Sequence, residues 1–219
     1  MSEMEILRIA ATILALMIAV IGHEFMHGYI AYIHGDNTAK NAGRLSFNPI
    51  VHIDPIGTIL LPGLLFATGA PFILGWAKPV PVNIHRVIQN RGIKGAIEVT
   101  LAGVAYNFAL AALATVIFYT LDKPTSFVGG FFVLLILQSV IINVVLGVFN
   151  LWPIPPLDGS QALKYFAAYM RWNKVVEFLE KIYPHGMLII VAILLIQPLS
   201  TLFFMPVRLL LNFLLPTLF

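Results

Sequence analysis

The chain has 219 residues, of which 59% are hydrophobic and 11% are charged, and its formal net charge is +3. Because soluble domains carry about 25% charged residues, this composition excludes a soluble globule and indicates a polytopic membrane protein with a single domain over residues 1–219. The small net charge gives no indication of nucleic-acid binding. The absence of cysteine excludes a disulfide framework and a cysteine-based zinc site.

The first third of the chain predicts one span and one interrupted segment. Segment 6–33 is long enough to cross the bilayer, since a spanning helix needs about 20 mostly apolar residues. Glu3 and Glu5 precede it and no small-residue cleavage site follows, so a signal peptide is not predicted. Residues 35–55 are polar and turn-rich. Segment 56–76 is apolar but broken by prolines and glycines, which predicts a broken span or a re-entrant segment.

The middle of the chain starts with a basic segment and continues with two spans. Residues 77–96 contain four basic residues and no acidic one, which predicts a location at the membrane surface. Two prolines force their neighbours to extended geometry, so a short extended or β element is expected over residues 77–84. Segments 97–121 and 128–151 are two further predicted spans.

Prolines interrupt the last third of the chain in several places. Prolines interrupt the chain at membrane depth before a helix restarts near Asp158. Segment 164–183 is amphipathic and mixed in charge, which predicts a helix in the membrane interface. Segment 186–219 is apolar with three prolines, which predicts one kinked or two short helices. The expected fold is therefore an all-α polytopic membrane protein with about five to six transmembrane helices. The basic residues satisfy the positive-inside rule whether segment 56–76 re-enters or spans the membrane, so the orientation is left open.

The stretch HEFMH, residues 23–27, places three ionisable groups inside the first apolar helix. One charge at the bilayer centre costs roughly 2.5–3.5 kcal/mol on insertion scales, and such residues mark functional sites by default. His23 and His27 lie one turn apart on one helix face and can reach the same Zn²⁺. Glu24 lies about 100° round the helix and is free to act as a general base on a metal-activated water.

A catalytic zinc site usually has three protein ligands, so one is missing from this helix. Most other histidines and aspartates lie in polar connecting segments and are expected to be solvated: His34, His52, His85, His185, Asp36, Asp54 and Asp122. Asp158 follows the proline break at membrane depth. It would ordinarily be a helix cap, but beside an incomplete His₂ site we predict that it is the third ligand. Asn150 is expected to stabilise an oxyanion, whereas Asn107 serves either as a helix-packing residue or at the site.

Three stretches together resemble the site-2 protease family of intramembrane zinc metalloproteases, of the M50 type. They are GHEFMH at 22–27, NLWPIPPLDG at 150–159, and the block FNPIVHIDPIGTILLP with GWAKPVPVN between them. The resemblance implies one Zn²⁺ per chain bound by His23, His27 and Asp158, with Glu24 as general base and Asn150 positioning or polarising substrate.

The resemblance has one departure and implies a domain plan. Family members show Ala-Gly-Pro-x-x-Asn where this chain reads AGVAYN, so Val104 replaces the usual proline and Asn107, a candidate substrate-binding residue, is kept. A core-only form without a PDZ or CBS domain is expected. Its catalytic core covers about residues 5–165, and amphipathic and membrane helices cover residues 164–219.

The family implies an endopeptidase that cleaves a transmembrane segment of a single-span or few-span membrane protein in regulated intramembrane proteolysis. The expected location is a multi-pass position in a prokaryotic plasma membrane. Pro79, Val80, Pro81 and Val82 are expected to hold the unwound substrate by strand pairing. The alternatives are a membrane zinc carrier or sensor without hydrolytic activity, and a different membrane metalloenzyme such as a prenyl-protein endoprotease.

Overall fold

The computed structural model describes residues 2–69 and 75–216, apart from the side chain of Phe66. Within these ranges the chain is helical and contains no strand, which confirms the all-α class. The helices are α1 (Glu3–Ile33), α2 (Thr38–Asn41), α3 (Leu61–Ala67), α4 (Ile84–Thr120), α5 (Phe127–Leu151), α6 (Asp158–Tyr169), α7 (Asn173–Ile182), α8 (Gly186–Leu195), α9 (Gln197–Phe203) and α10 (Met205–Leu214). A 3₁₀ turn (Pro49–His52) and a π-helical turn (Pro55–Leu60) precede α3.

Four stretches of the described chain are long and apolar enough to cross a membrane: Glu3–Ile33, Ile84–Thr120, Phe127–Leu151 and Asn173–Leu195. The protein is therefore an integral membrane protein, as predicted. The apolar helices Pro55–Leu65 and Met205–Leu214 are shorter than the roughly 20 residues that a span requires. The described residues thus offer four full-length spans, and the predicted fifth or sixth span stays a prediction.

The helices α1, α4 and α5 pack against one another, and α6 packs against α4. On α1 the alanines at positions 11, 15 and 19 are fully buried, and such small residues let neighbouring helices approach closely. An apolar cluster joins α4, α5 and α10. Its members include Ala111, Ala114, Val140, Val144, Val207 and Leu211. This packing holds α1, which carries the two motif histidines, against α4 and α5.

The interrupted segment 56–76 has its two ends side by side. The Trp76 N–H donates to the Gly57 carbonyl oxygen (3.1 Å), and the Thr58 hydroxyl donates to the Trp76 carbonyl oxygen (2.8 Å). Asp54 caps the start of this segment by accepting the N–H of Ile56 and of Gly57. The break predicted at Pro71 lies outside the described residues.

The basic segment 77–96 differs from the prediction after residue 83. Residues 75–83 have no regular secondary structure, but α4 begins at Ile84 because the Asn83 side chain caps it, accepting the Arg86 N–H (3.2 Å). Residues 84–96 are therefore the start of a long helix, and their location at the membrane surface stays a prediction. Gly92 interrupts that helix with φ 73° and ψ −174°, a backbone conformation that is essentially restricted to glycine.

The C-terminal third also corrects the prediction. The sequence predicts one kinked or two short helices over 186–219, but the described residues contain three, because Pro198 and Pro206 each occupy the first turn of a new helix. Segment 164–183 is divided between α6 and α7 at Arg171, which has φ 59°. Its second half forms the start of the stretch Asn173–Leu195, which is long enough to cross a membrane, and its interfacial location stays a prediction.

Candidate metal centre

The structure brings together the three residues predicted to bind metal. His23 and His27 lie one turn apart on α1, and Asp158 is the first residue of α6. The two Nε2 atoms are 3.0 Å apart, and the Asp158 Oδ2 atom lies 3.0 Å from His23 Nε2 and 3.4 Å from His27 Nε2. One ligand atom from each residue therefore points at a common centre.

The other nitrogen of each histidine is held by an oxygen. His23 Nδ1 lies 2.6 Å from Asn107 Oδ1, and His27 Nδ1 lies 2.7 Å from the Val99 carbonyl oxygen. Neither oxygen has a proton to give, so each Nδ1 carries the proton and donates it, which leaves both Nε2 atoms with free lone pairs. A metal-binding histidine is oriented in this way in most metalloproteins.

The donor set fits a zinc ion. Two imidazole lone pairs and a carboxylate oxygen converge, and the Asp158 Oδ2 atom is buried without a hydrogen bond among the described residues. Three electron-rich atoms at such short separations repel one another unless a cation lies between them. A tetrahedral site with bonds of about 2.0–2.1 Å has ligand atoms about 3.3 Å apart, close to the separations seen here.

Asp158 does not cap α6. The residue at the N-cap position is Leu157, and no side chain bonds to the free N–H groups of the first turn. The proline stretch that precedes Leu157 ends α5 at Leu151, and the chain then turns sharply enough that the Gly159 backbone touches the Leu151 carbonyl. The carboxylate of Asp158 is consequently directed at the histidines of α1.

Asn107 lies behind His23 and not on an open surface. It is fully buried, its Oδ1 accepts from His23, and its Nδ2 donates to Asn143 Oδ1 (2.8 Å). Asn143 in turn donates to the Ser139 carbonyl oxygen (2.8 Å). Asn107 is a candidate for substrate binding, but its amide is already hydrogen-bonded inside the protein. We infer that it orients the first metal ligand.

Two glycines set the distance between α1 and α4 at the centre. A Cβ atom added at Gly103 would lie 2.5 Å from His23 Cε1, and one added at Gly22 would lie 2.1 Å from the Tyr106 ring. A side chain at either position would therefore displace the ring that packs on it. The imidazole of His23 lies directly against the α4 backbone.

Glu24 lies outside the group of three ligand atoms. Its Oε2 accepts a hydrogen bond from the Val80 N–H (2.9 Å), so the proline-rich stretch before α4 contacts the predicted general base. Val80 is buried, whereas Pro79 is exposed and Pro81 and Val82 are half-buried. Sequence reasoning assigned this stretch to substrate and missed its bond to Glu24.

Asn150 lies on the last turn of α5 and is half-buried. Its Nδ2 donates to the Leu146 carbonyl oxygen of its own helix (3.1 Å), which leaves a second N–H and the Oδ1 for other partners. Among the described residues no hydrogen bond joins Asn150 to the three ligand atoms, so its role at the site stays a prediction.

Two residues expected to be solvated are buried. The Asp36 carboxylate is fully buried and accepts the N–H of Thr38 (3.0 Å) and of Asn83 (2.6 Å). The His52 ring is buried and its Nε2 donates to the Ser46 carbonyl oxygen (2.8 Å). The prediction failed because both side chains bond to backbone atoms, Asp36 to a residue 47 positions away.

Comparison with known proteins agrees with this chemistry. The family model of peptidase family M50 matches residues 123–194. The Bacillus subtilis protein named "Putative zinc metalloprotease YwhC" is 37% identical over 159 residues, which cover 69% of this chain and 67% of that protein. Proteins named "Putative zinc metalloprotease Rip2" from Mycolicibacterium smegmatis and Mycobacterium tuberculosis are each 33% identical, over 145 and 144 residues.

The matched region spans 65% of this chain and about half (51%) of each mycobacterial relative. No solved structure matches the chain. The relatives and the family model together confirm the resemblance drawn from the three stretches, and the His-His-Asp group could hold the metal ion that such an enzyme requires. The chain belongs to peptidase family M50 and is a membrane-embedded zinc metalloprotease.

Proposed function

We propose that the protein is an intramembrane endopeptidase that cleaves a transmembrane segment of another membrane protein. The proposal is supported by the position of the candidate metal centre along α1. His23, Glu24 and His27 all lie on α1, a helix long and apolar enough to cross the bilayer. A peptide bond that reaches these side chains must itself be at membrane depth.

Zinc held by His23, His27 and Asp158 would lower the pKa of a bound water to about 7. Glu24 then takes a proton from the attacking water and passes it to the nitrogen of the leaving amine. Asn150 donates its second N–H to the oxygen of the scissile carbonyl as negative charge develops there. Asn107 and the Val99 carbonyl hold the two imidazoles in the tautomer that presents Nε2 to the metal.

The substrate helix has to unwind before it is cleaved, because helical hydrogen bonds cover its carbonyls. We propose that the carbonyl oxygens of residues 79–82 accept hydrogen bonds from the N–H groups of the unwound peptide. The prolines at 79 and 81 have no N–H, and that of Val80 is bonded to Glu24. The substrate peptide would therefore pair mainly with the backbone carbonyl groups of this stretch and not with its N–H groups.

Segment 56–76 is proposed to be re-entrant. Its hydrogen-bonded ends at Gly57 and Trp76 cannot lie on opposite sides of a hydrocarbon core about 30 Å thick. Residues 34–96 and 157–182 are then on one side, and they contain six and four of the 13 basic residues. The positive-inside rule places this side in the cytoplasm of a bacterial cell, with the N-terminus outside.

The test compares the wild type with Glu24→Gln, both purified in detergent. Bound zinc is measured in each, and each is incubated with single-span test substrates. Zinc in both and cleavage only by the wild type is expected, because Glu24 is not a ligand. Equal cleavage by both would overturn the proposed role of Glu24. Zinc in both without cleavage of any substrate would overturn the endopeptidase and favour a carrier or sensor.

A further inference from the structure

The stretch from Pro79 to Pro81 presents one backbone donor to the catalytic helix. Val80 supplies it, since a proline on either side has no N–H, and the donor lies 2.9 Å from Glu24 Oε2. A carboxylate on a flexible side chain can adopt many rotamers, and the bond to Val80 selects one of them. The second oxygen, Oε1, stays available to accept a proton.

The position of this donor is fixed from both sides along the chain. Before it, the Lys78 N–H donates to the His52 carbonyl oxygen (2.9 Å), and the Arg44 guanidinium donates to the Lys78 carbonyl oxygen (2.6 Å). After it, the Asn83 N–H donates to the fully buried Asp36 carboxylate (2.6 Å). Bonds in which one partner is charged are about twice as strong as neutral ones.

The Val80 side chain is fixed as well. A Cβ atom added at Gly28 would lie 2.7 Å from Val80 Cγ1, so the valine packs directly on the α1 backbone one turn beyond Glu24. The bond between Val80 and Glu24 therefore lies between two surfaces that do not move independently. This is the arrangement needed to hold a reacting group in place before substrate arrives.

We propose that Val80 is a positioning residue for the general base, acting through its backbone N–H, and that Arg44 and Asp36 support it through the chain on either side. The inference rests on the proposed function, because it assigns Glu24 the proton transfer. Misplacement of a reacting group by about 1 Å can cost about a hundredfold in rate, so loss of this bond is expected to act on kcat and not on KM.

The test uses Val80→Pro, which removes the N–H and keeps an apolar side chain, with Val80→Ala as the matched variant that keeps the N–H. Zinc content, kcat and KM are measured in detergent on a single-span substrate that the wild type cleaves. Val80→Pro is expected to bind zinc like the wild type, with kcat about tenfold to hundredfold lower and KM within about twofold. Val80→Ala, which keeps the N–H and loses only the packing on Gly28, is expected to lower kcat less than Val80→Pro does.

A further variant makes the outcome decisive. If Val80→Pro does not fold, Arg44→Met, which frees the Lys78 carbonyl, is expected to lower kcat with KM and zinc unchanged. An unchanged kcat in folded Val80→Pro or Arg44→Met would overturn the inference, and a raised KM with unchanged kcat in either variant would indicate substrate contact instead. A wild type without cleavage would instead overturn the proposed function.

Discussion

Replacing Asn107 by alanine tests how the first zinc ligand is held. The variant removes the oxygen that accepts the His23 Nδ1 proton at 2.6 Å and leaves that N–H without a partner in a fully buried position. An unsatisfied buried donor costs about 1–3 kcal/mol. It also leaves Asn143 Oδ1 without its donor.

The same loss can be expressed as zinc affinity. Removing an outer partner of a metal-bound histidine typically weakens binding about tenfold to a hundredfold, or about 1.4–2.7 kcal/mol. This range agrees with the cost of one unsatisfied donor. We therefore expect Asn107→Ala to raise the Kd for zinc about tenfold to a hundredfold while the protein stays folded.

The assay is a zinc titration against a competing chelator, with unfolding followed on the same samples. Asn143→Ala is the matched control, since it removes the next amide and leaves the His23 partner in place; we expect a smaller loss of affinity. Wild-type zinc affinity in Asn107→Ala would refute the reasoning. If that variant showed only a raised KM for substrate, the earlier assignment of Asn107 to substrate binding would be correct.

Three further predictions concern packing, stability and topology. Gly103→Ala places a Cβ atom 2.5 Å from the first histidine ring and is expected to weaken zinc binding at least about tenfold, whereas Gly130→Ala, with no atom within 4 Å, is expected to leave it unchanged in the same titration. Asp36→Ala leaves two backbone N–H groups without an acceptor and is expected to lower the free energy of unfolding by about 2–5 kcal/mol, measured by denaturant titration; an unchanged midpoint would contradict this. Because the chain has no cysteine, an impermeant maleimide is expected to label Lys123→Cys in intact cells and Lys40→Cys only after permeabilisation, and labelling of both from outside would contradict the orientation.

Much of the metal centre was predictable from the sequence because its signal is local. His23 and His27 share a helix face by spacing alone, and three ionisable groups in an apolar helix need a function. Asp158 was predictable because the proline break placed a carboxylate at membrane depth. The structure brings all three together.

The supports of the centre were less accessible, because they depend on contacts distant in sequence. His27 is bonded to the backbone carbonyl of Val99, a group that every residue type carries, so the sequence does not indicate it. The partner of Glu24 lies 56 residues away in the chain. Asn143 could have been noticed as an amide at membrane depth, but its partner could not. The start of α4 at Ile84 was missed because the basic residues that follow it suggested a surface loop.

The sequence alone did not distinguish a proline that kinks a helix from one that starts a helix. Pro198 and Pro206 lie in an apolar stretch where either is compatible with the composition, and the structure places both in first turns. In the same way, the sequence of residues 56–76 is compatible with both a re-entrant and a spanning segment. The hydrogen bonds of Trp76 with Gly57 and Thr58 favour the re-entrant alternative, which stays a proposal.

The close contact of Gly103 with His23 also limits the sides from which a peptide can reach His23, His27 and Asp158. The seam between α1 and α4 is closed by that contact and by Tyr106 against Gly22. Side-chain exposure rises from 8% at His23 to 13% at His27 and 21% at Asp158. The first turn of α6 is therefore the most exposed side of this group, and we expect water and an unwound peptide to approach the site from there.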